Sequence, residues 1–271
     1  MNPWLETFGV CLLGIGGVGL GLWFSRLPRP WWTLGYFLPF TLIVLIALAR
    51  RNSALQFLPP LSWLMAGRTP LAMSALIVTM VLTTPLSRLS SRRDKGFVVL
   101  FMVALVSFVS IRPFAAPALN RNYLASLKTR IDVDGVCLQS SSYNCGPAAA
   151  VTALRQVGFT AEEGQVAILA HTSQAMGTPP DLLARALQKQ YAREGLQCEF
   201  RHFNSISELK QAGLTLAVIK FGLLLDHYVV VMEVTDEQIV VGDPLLGKTT
   251  LSVEEFAKKW RFCGVVLKRK T

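Results

Sequence analysis

The sequence predicts an α-helical membrane region followed by an α+β globular domain. Hydrophobic residues make up 52% of the 271-residue chain and charged residues only 16%, which is unusual for a soluble protein. Apolar runs dominate residues 1–112, whereas residues 113–271 mix charged residues with alternating and 3.6-residue apolar periods. The two parts of the chain are therefore predicted to fold in different solvents, the first in lipid and the second in water.

The apolar runs of the first part are predicted to form four transmembrane helices. Each run lies between Arg or Lys residues and approaches the length that a helix needs to cross a bilayer. The runs cover residues 8–24, 33–49, 70–86 and 97–111. A further apolar stretch, Leu55 to Ala66, is short and contains Pro59-Pro60, so we expect a re-entrant or interfacial segment there. The membrane region would have five transmembrane spans only if this stretch also crossed the bilayer.

Glycines in the first run match the spacing of a dinucleotide-binding loop. Gly14, Gly16 and Gly19 fit the pattern Gly-x-Gly-x-x-Gly. No predicted strand precedes them and no acidic ribose ligand follows, so the nucleotide interpretation lacks its structural context. Close packing between helices is the better prediction.

The basic charge of the chain belongs mainly to its apolar part. Residues 1–112 carry ten Arg and Lys against Glu6 and Asp94. Such charges between apolar runs act as topology signals and headgroup contacts, so we expect a lipid bilayer as partner and no nucleic acid. With four spans, one side carries Arg26, Arg29, Arg88, Arg92, Arg93 and Lys95, and the other carries Arg50, Arg51, Arg68 and Arg112. The richer side is predicted to be cytoplasmic, which places the C-terminal domain outside the cytoplasm of a bacterial plasma membrane.

The composition changes after Arg112-Pro113. Residues 113–131 are predicted to be a linker, and residues 132–271 are long enough for a domain with its own core. The chain has five cysteines and no Cys-x-x-Cys pair, so neither a zinc site nor a complete disulfide framework is indicated. We expect no metal or organic cofactor.

The segment from Gln139 to Leu154 carries the strongest chemical signal. Asn144 is a candidate N-cap, Pro147 suits a first helical turn, and the alanines that follow favour a helix. Cys145 is therefore predicted at a helix N-terminus, where the dipole and free backbone N–H groups favour the thiolate over the thiol. This setting indicates a cysteine nucleophile.

A nucleophile needs a base, a group that orients the base, and donors for the developing oxyanion. The Gln139 amide can pair with the Cys145 backbone N–H as an oxyanion hole. His227 begins a β-branched run that predicts a strand, and a turn at 235–237 leads to a second strand that ends in Gly242-Asp243-Pro244. This hairpin brings Asp243 near His227 as its orienting group. Asp226 is the weaker candidate, because adjacent strand residues point to opposite faces.

The C-terminal part resembles the bacteriocin-processing peptidases, cysteine peptidase family 39 and its relatives, which cleave leader peptides, often after a double glycine. The matching residues are Gln139, Asn144-Cys145-Gly146-Pro147, Gly177-Thr178, the predicted helix 181–190, Asp226-His227-Tyr228, Gly242-Asp243-Pro244, Leu251 and Glu255-Phe256. The resemblance spans residues 136–266. It implies a papain-like fold and peptide hydrolysis, with Gln139 as oxyanion donor, Cys145 as nucleophile, His227 as base and Asp243 as orienting group.

The chain also departs from well-known members of that family, which sit at the cytoplasmic N-terminus of ATP-driven peptide exporters. Here the domain is C-terminal. Gly247-Lys248-Thr249 lacks the earlier glycine and the strand-to-helix context of a phosphate-binding loop. Any coupling to ATP is therefore expected to come from a separate exporter or ATPase chain.

Alternative interpretations stay open. The same catalytic groups can transfer an acyl group to an amine instead of water, and the cleft can serve a non-catalytic membrane receptor that holds a leader peptide. Cys137, Cys198 and Cys263 are predicted to be core residues. Cys198 and Cys263 can pair if the domain lies outside the cytoplasm. His171 and His202 are predicted to have ordinary structural roles.

Overall fold

The computed structural model describes residues 2–222 and 225–270. Contacts within the chain divide it into the compact units Met1–Ala118 and Leu119–Thr271. Residues 113–131, predicted as a linker, hold most of a helix at Arg112–Leu119, a short helix at Arg121–Ala125 and a strand at Arg130–Ile131. The predicted domain boundaries at 112 and 132 stay a prediction.

The first unit consists of apolar helices. Its helices are α1 Pro3–Ser25, α2 Leu34–Arg51, α3 Leu61–Leu64, α4 Thr69–Thr83, α5 Arg92–Val106 and α6 Arg112–Leu119. Among the described residues, four stretches are long and apolar enough to cross a membrane, namely Pro3–Ser25, Trp31–Arg51, Thr69–Arg88 and Arg92–Leu119. The four predicted runs are thus helical, and each stretch extends beyond the predicted bounds.

The fourth stretch differs most from its predicted length. The apolar run was expected to end at Ile111, but the helix continues through Pro113 to Leu119. A π-helical turn at Ser107–Ile111 precedes this proline. Such a turn accommodates the missing proline N–H, which is why the chain stays helical. The stretch from Leu55 to Ala66 holds a 3₁₀ turn and the four-residue helix α3, as expected for a segment that does not span.

Helices α1 and α4 pack closely through glycine. Gly14, Gly17 and Gly21 are buried on α1. A Cβ atom added at Gly17 would lie 2.6 Å from the Leu76 carbonyl oxygen, and one at Gly21 would lie 2.8 Å from the Met80 carbonyl oxygen. Only glycine allows the two backbones to approach this closely.

The prediction that glycines allow close packing between helices was right, but two of the three glycines that it named do not lie at the contact. Added Cβ atoms at Gly16 and Gly19 would meet nothing within 4 Å in the described structure. The reason is the helical period, because Gly14, Gly17 and Gly21 share one face whereas Gly16 and Gly19 lie off it.

Polar contacts hold each end of this helix pair. Glu6 on α1 forms an ion pair of 3.6 Å with Arg68, which precedes α4, and both side chains are mostly buried. At the other end of both helices, the Arg88 guanidinium donates to the Leu27 carbonyl oxygen at 3.3 Å and lies 4.6 Å from the centre of the Trp32 ring. The turns that follow α1 and α4 therefore lie together.

The second unit combines an antiparallel sheet with helices. Its remaining elements are α7 Arg121–Ala125, β1 Arg130–Ile131, β2 Cys137–Leu138, α8 Cys145–Gln156, α9 Glu163–Leu169, α10 Pro180–Tyr191, β3 Leu196–His202, α11 Ile206–Ala212, β4 Thr215–Gly222, β5 Leu225–Val234, β6 Gln238–Asp243, β7 Gly247–Ser252, α12 Val253–Lys259 and β8 Trp260–Arg269. Strands β3 to β8 pair in the order β3-β8-β4-β5-β6-β7, and β1 pairs with β2. This is the α+β architecture that the sequence predicts.

The sheet is buried on both faces. Ala217 on β4 and Val229 on β5 share one core with Leu209 of α11 and Phe256 of α12. Successive strand residues point to opposite faces, so Val230, which is also fully buried, faces the side on which α8 packs against β5. Helix α8 is thereby fixed against the strand that begins just before His227.

Candidate active site

Helix α8 carries Cys145 at its first position. Asn144 occupies the N-cap position, as predicted, but its side chain makes no capping hydrogen bond. Both polar side-chain atoms of Asn144 are buried and have no hydrogen-bond partner in the described structure. The prediction of a side-chain cap at Asn144 is therefore wrong, because this side chain accepts no hydrogen bond from the first N–H groups of α8. Cys145 is half-buried, which leaves its thiol accessible.

Strands β5 and β6 bring His227 and Asp243 together. Their register pairs Val230 with Gly242, which puts the end of β6 beside the start of β5. His227 Nε2 donates to Asp243 Oδ1 at 2.7 Å, and the two residues are only 4% and 8% exposed. The Cys145 side chain also interacts with His227, because a hydrogen bond and a charge interaction with it raise the pKa of the imidazole.

The charges around His227 favour its protonated form. Burial alone would lower the pKa of the imidazole, but hydrogen bonds and charge interactions with Asp243 and Cys145 outweigh burial and raise the pKa to about 9. Burial would likewise raise the pKa of the Asp243 carboxyl, yet the hydrogen bonds from His227 and from the Leu245 N–H lower it. An imidazolium beside a carboxylate is therefore the stable arrangement at neutral pH.

The alternative orienting residue has another partner. Asp226 Oδ1 accepts from Arg261 Nε at 2.8 Å. Asp243 Oδ1 accepts from both His227 Nε2 and the Leu245 N–H at 2.8 Å, so the turn after β6 fixes the carboxylate. The structure thus places Asp243, and not Asp226, against the imidazole.

Gln139 lies beside the Asp243 turn. Its backbone N–H donates to the Pro244 carbonyl oxygen at 2.9 Å. Its side-chain Nε2 donates one proton to the Ser141 carbonyl oxygen at 2.8 Å, which leaves a second N–H on the same nitrogen. Gln139 is therefore tied to the same end of the sheet as His227 and Asp243.

Sequence reasoning missed Glu163, whose side chain is fully buried. Its two carboxylate oxygens accept from the backbone N–H and the hydroxyl of Ser140, the residue next to Gln139. A signal for this burial exists in the sequence, since Glu163 shares the i, i+3, i+4, i+7 positions of α9 with Val166, Ala167 and Ala170, all buried.

Loop 172–178 lies close to the start of helix α8, beside Cys145. A Cβ added at Gly146 would lie 3.2 Å from the Thr178 side chain and 3.3 Å from the Tyr228 ring. The Tyr228 hydroxyl donates to the Thr178 carbonyl oxygen at 2.7 Å and holds the loop in place. The centroid of the Phe221 ring lies 5.3 Å from that of the His227 ring, and Phe221 is 62% exposed. Accessible apolar surface thus adjoins the reactive groups.

The remaining cysteines of the second unit are free thiols. Burial raises the pKa of Cys137, Cys198 and Cys263 to about 12. In the β3–β8 pair, Cys198 lies opposite Leu267 and Cys263 lies opposite His202. The suggested disulfide between Cys198 and Cys263 is therefore wrong, because the register separates them along the strands.

The Gly247-Lys248-Thr249 segment begins strand β7 and pairs with β6. A phosphate-binding loop requires a strand-to-helix turn instead. The prediction that this segment is not such a loop is confirmed.

We expect the stability of the second unit to depend on pH through His227. Its pKa in the folded state lies above the ordinary 6.5, so its stabilisation is complete below pH 6.5 and is lost as the pH rises through about 9. The difference in pKa corresponds to a free energy on the order of 3 kcal/mol. Pulse proteolysis of the full chain between pH 6 and 10 should show this decrease. The variant His227→Gln should lack it, and His202→Gln should retain it; an unchanged pH dependence in His227→Gln would contradict the assignment.

Comparisons with known proteins place the second unit among peptidase sequences. Residues 135–271 match the model of the peptidase C39 family. Proteins of Methanothermobacter thermautotrophicus and Methanothermobacter marburgensis are 30% and 33% identical over 141 residues, which are 52% of this chain and 92% of each relative. The peptidase domain of Streptococcus ComA, a bifunctional ABC transporter involved in quorum sensing, is 22% identical with a TM-score of 0.44; the match covers 49% of this chain and 96% of that domain.

Proposed function

Because the chain belongs to the peptidase C39 family, we propose that it is a membrane-anchored cysteine peptidase that cleaves leader peptides. The observation that carries this proposal is the position of His227, whose Nε2 donates a hydrogen bond to Asp243 and whose imidazole also interacts with the Cys145 side chain. A nucleophile, a base and an orienting carboxylate in this order are the requirements of covalent peptide hydrolysis.

The reaction begins when the Cys145 thiolate attacks the carbonyl carbon of the scissile bond. The carbonyl π electrons move to oxygen, and the Gln139 amide and the Cys145 backbone N–H donate to the resulting oxyanion. His227 carries its proton at pH 7, since its pKa is about 9, and gives that proton to the leaving nitrogen as the C–N bond breaks. A thioester of the substrate's acyl half remains on Cys145.

Water completes the cycle. Neutral His227 takes a proton from the attacking water, and collapse of the second tetrahedral intermediate releases the peptide acid and the thiolate. Asp243 keeps the imidazole in one orientation and stabilises its charge in both halves of the reaction.

The peptide substrate meets an apolar surface beside the base. Phe221 and Leu225 flank the start of β5, and both side chains are mostly exposed. Large exposed apolar side chains next to reactive groups fit a substrate with apolar residues near its cleavage site. We infer that the substrate residues on one side of the scissile bond bind to this apolar surface.

The helices of the first unit anchor the enzyme in a bilayer. Four stretches of the described residues have the required length and hydropathy. The turns that follow α1 and α4, which contain Arg26, Arg29 and Arg88, lie together, and that end is assigned to the cytoplasm. The peptidase unit then lies outside the cytoplasm, and a separate exporter or ATPase chain supplies any transport.

Alkylation of Cys145 by iodoacetamide tests the proposed chemistry. In the detergent-purified full chain at pH 6, Cys145 is expected to react at least about tenfold faster than free cysteine, because the protonated His227 interacts with its side chain at this pH. The variant His227→Ala should lose this advantage. Mass spectrometry of the tryptic peptides separates Cys145 from Cys137, Cys198 and Cys263, whose raised pKa keeps them unreactive.

The same labelling defines the side of the membrane. A sulfonated maleimide that cannot cross a bilayer is expected to modify Cys145 in intact cells. Modification only after permeabilisation would overturn the assigned side. A Cys145 that reacts like free cysteine, with or without His227, would overturn the peptidase mechanism itself.

A further inference from the structure

Glu163 is an acidic residue whose side chain is buried. Its side chain is 0% exposed at the start of α9. Burial of a carboxylate is unfavourable unless hydrogen bonds compensate for the lost water. The compensation comes from one residue, because Ser140 donates its N–H to Oε1 at 2.9 Å and its hydroxyl to Oε2 at 2.6 Å. The backbone of Glu163 is itself held, since its N–H donates to Thr129 Oγ1 at 2.8 Å.

This pair fixes the chain next to Gln139. The backbone N–H of Gln139 donates a hydrogen bond to the Pro244 carbonyl oxygen. The carbonyl oxygen of Gln139 accepts one from the Arg130 guanidinium at 3.3 Å. The hydrogen bond from the Ser140 N–H to Glu163 prevents rotation of the peptide group between Gln139 and Ser140. The backbone that carries the Gln139 side-chain amide is therefore fixed by hydrogen bonds on both sides.

We propose that Glu163 is a positioning residue. Through its bidentate hydrogen bonds to Ser140, Glu163 holds the Gln139 amide where that amide can donate to the oxyanion. The inference rests on the proposed function, because it concerns the oxyanion hole of that reaction. Glu163 touches no reacting atom. Its effect is confined to steps in which an oxyanion forms, since His227 and Asp243 are held by each other and by the Leu245 N–H.

Two reactions of the same thiol separate this role from others. Acylation of Cys145 by p-nitrophenyl acetate passes through a tetrahedral oxyanion, whereas alkylation by iodoacetamide does not. In the full chain, Glu163→Ala is expected to slow acylation by about tenfold, because small displacements of a catalytic donor have effects of this size or larger. Alkylation should change by less than about twofold, since it needs only the activated thiolate.

Conservative replacement provides a rescue. In Glu163→Gln, the amide oxygen can accept the Ser140 N–H, and the amide N–H can donate to the Ser140 hydroxyl, which then donates to the Lys128 carbonyl oxygen, now 3.1 Å away. Glu163→Gln should therefore keep most of the acylation rate. Glu162→Ala, which changes the exposed neighbour, is the matched control and should change neither rate.

The outcomes distinguish this inference from the proposed function. In a Gln139→Ala background, Glu163→Ala should cause no further loss of acylation. Equal losses of acylation and alkylation, or equal losses in Glu163→Ala and Glu163→Gln, would overturn the positioning role. If Glu163→Ala does not fold, Ser140→Ala replaces it and should slow acylation alone. A wild-type Cys145 that resists both reagents would instead overturn the peptidase mechanism.

Discussion

Replacing Cys145 by Ala is expected to lower peptide cleavage by about 10⁴-fold or more, because removal of a covalent nucleophile abolishes the acyl-enzyme route. The remaining groups cannot replace the thiolate, since His227 is protonated at neutral pH and is held by Asp243. The measurement is mass spectrometry of synthetic leader peptides with a double glycine before the scissile bond, incubated with the detergent-purified chain.

Cys198→Ala is the matched control, because it removes another half-buried thiol from the same unit. Its cleavage rate should equal that of the wild type. Cleavage retained in Cys145→Ala would contradict the mechanism. If wild-type products carry an added amine on the acyl half in place of water, the chain is an acyltransferase with the same nucleophile.

The double replacement Gly17→Ala with Gly21→Ala is expected to destabilise the first unit by about 3 kcal/mol or more. The added methyl groups would lie 2.6 Å and 2.8 Å from the carbonyl oxygens of Leu76 and Met80, so α1 and α4 must separate. Denaturation of the purified chain with increasing SDS, followed by tryptophan fluorescence, measures the effect. Five of the six tryptophans precede residue 64, so this signal reports mainly on the first unit.

The control for this prediction uses the glycines that face away from α4. Gly16→Ala with Gly19→Ala adds two methyl groups to the same helix, and neither meets a described atom within 4 Å. Alanine also has the higher helix propensity, so this pair should leave stability unchanged or raise it by about 1 kcal/mol per residue. Equal destabilisation by both pairs would show that close packing of α1 on α4 is not the cause.

Local patterns were sufficient to predict the helix at Cys145 and the hairpin that contains His227 and Asp243. Both depend on short-range signals, namely a helix-start sequence before the alanines and β-branched residues on either side of a turn. Helix α8 begins at Cys145, and β5 and β6 run from Leu225 to Asp243 around that turn. The coarse α+β class followed from the same periodicities.

Contacts between distant segments could not be predicted in this way. The hydrogen bonds between Glu163 and Ser140 join residues on separate elements, and no local pattern specifies that pairing. The glycine face of α1 is likewise defined by the helix it meets, which is why Gly16 and Gly19 were expected at the contact and Gly17 and Gly21 occupy it. The missing side-chain cap at Asn144 has the same origin, because the burial of this side chain in the folded unit overrides a local preference.

The proposed nucleophile and its proposed base lie on a helix and on a strand that are synthesised at different times. Cys145 lies on α8, and its base lies on β5, which the ribosome produces later. Until β5 exists and α8 has packed against it, no imidazolium adjoins the thiol. In the proposed mechanism, a nascent or unfolded chain therefore lacks peptidase activity, and this activity appears only in molecules that have completed folding.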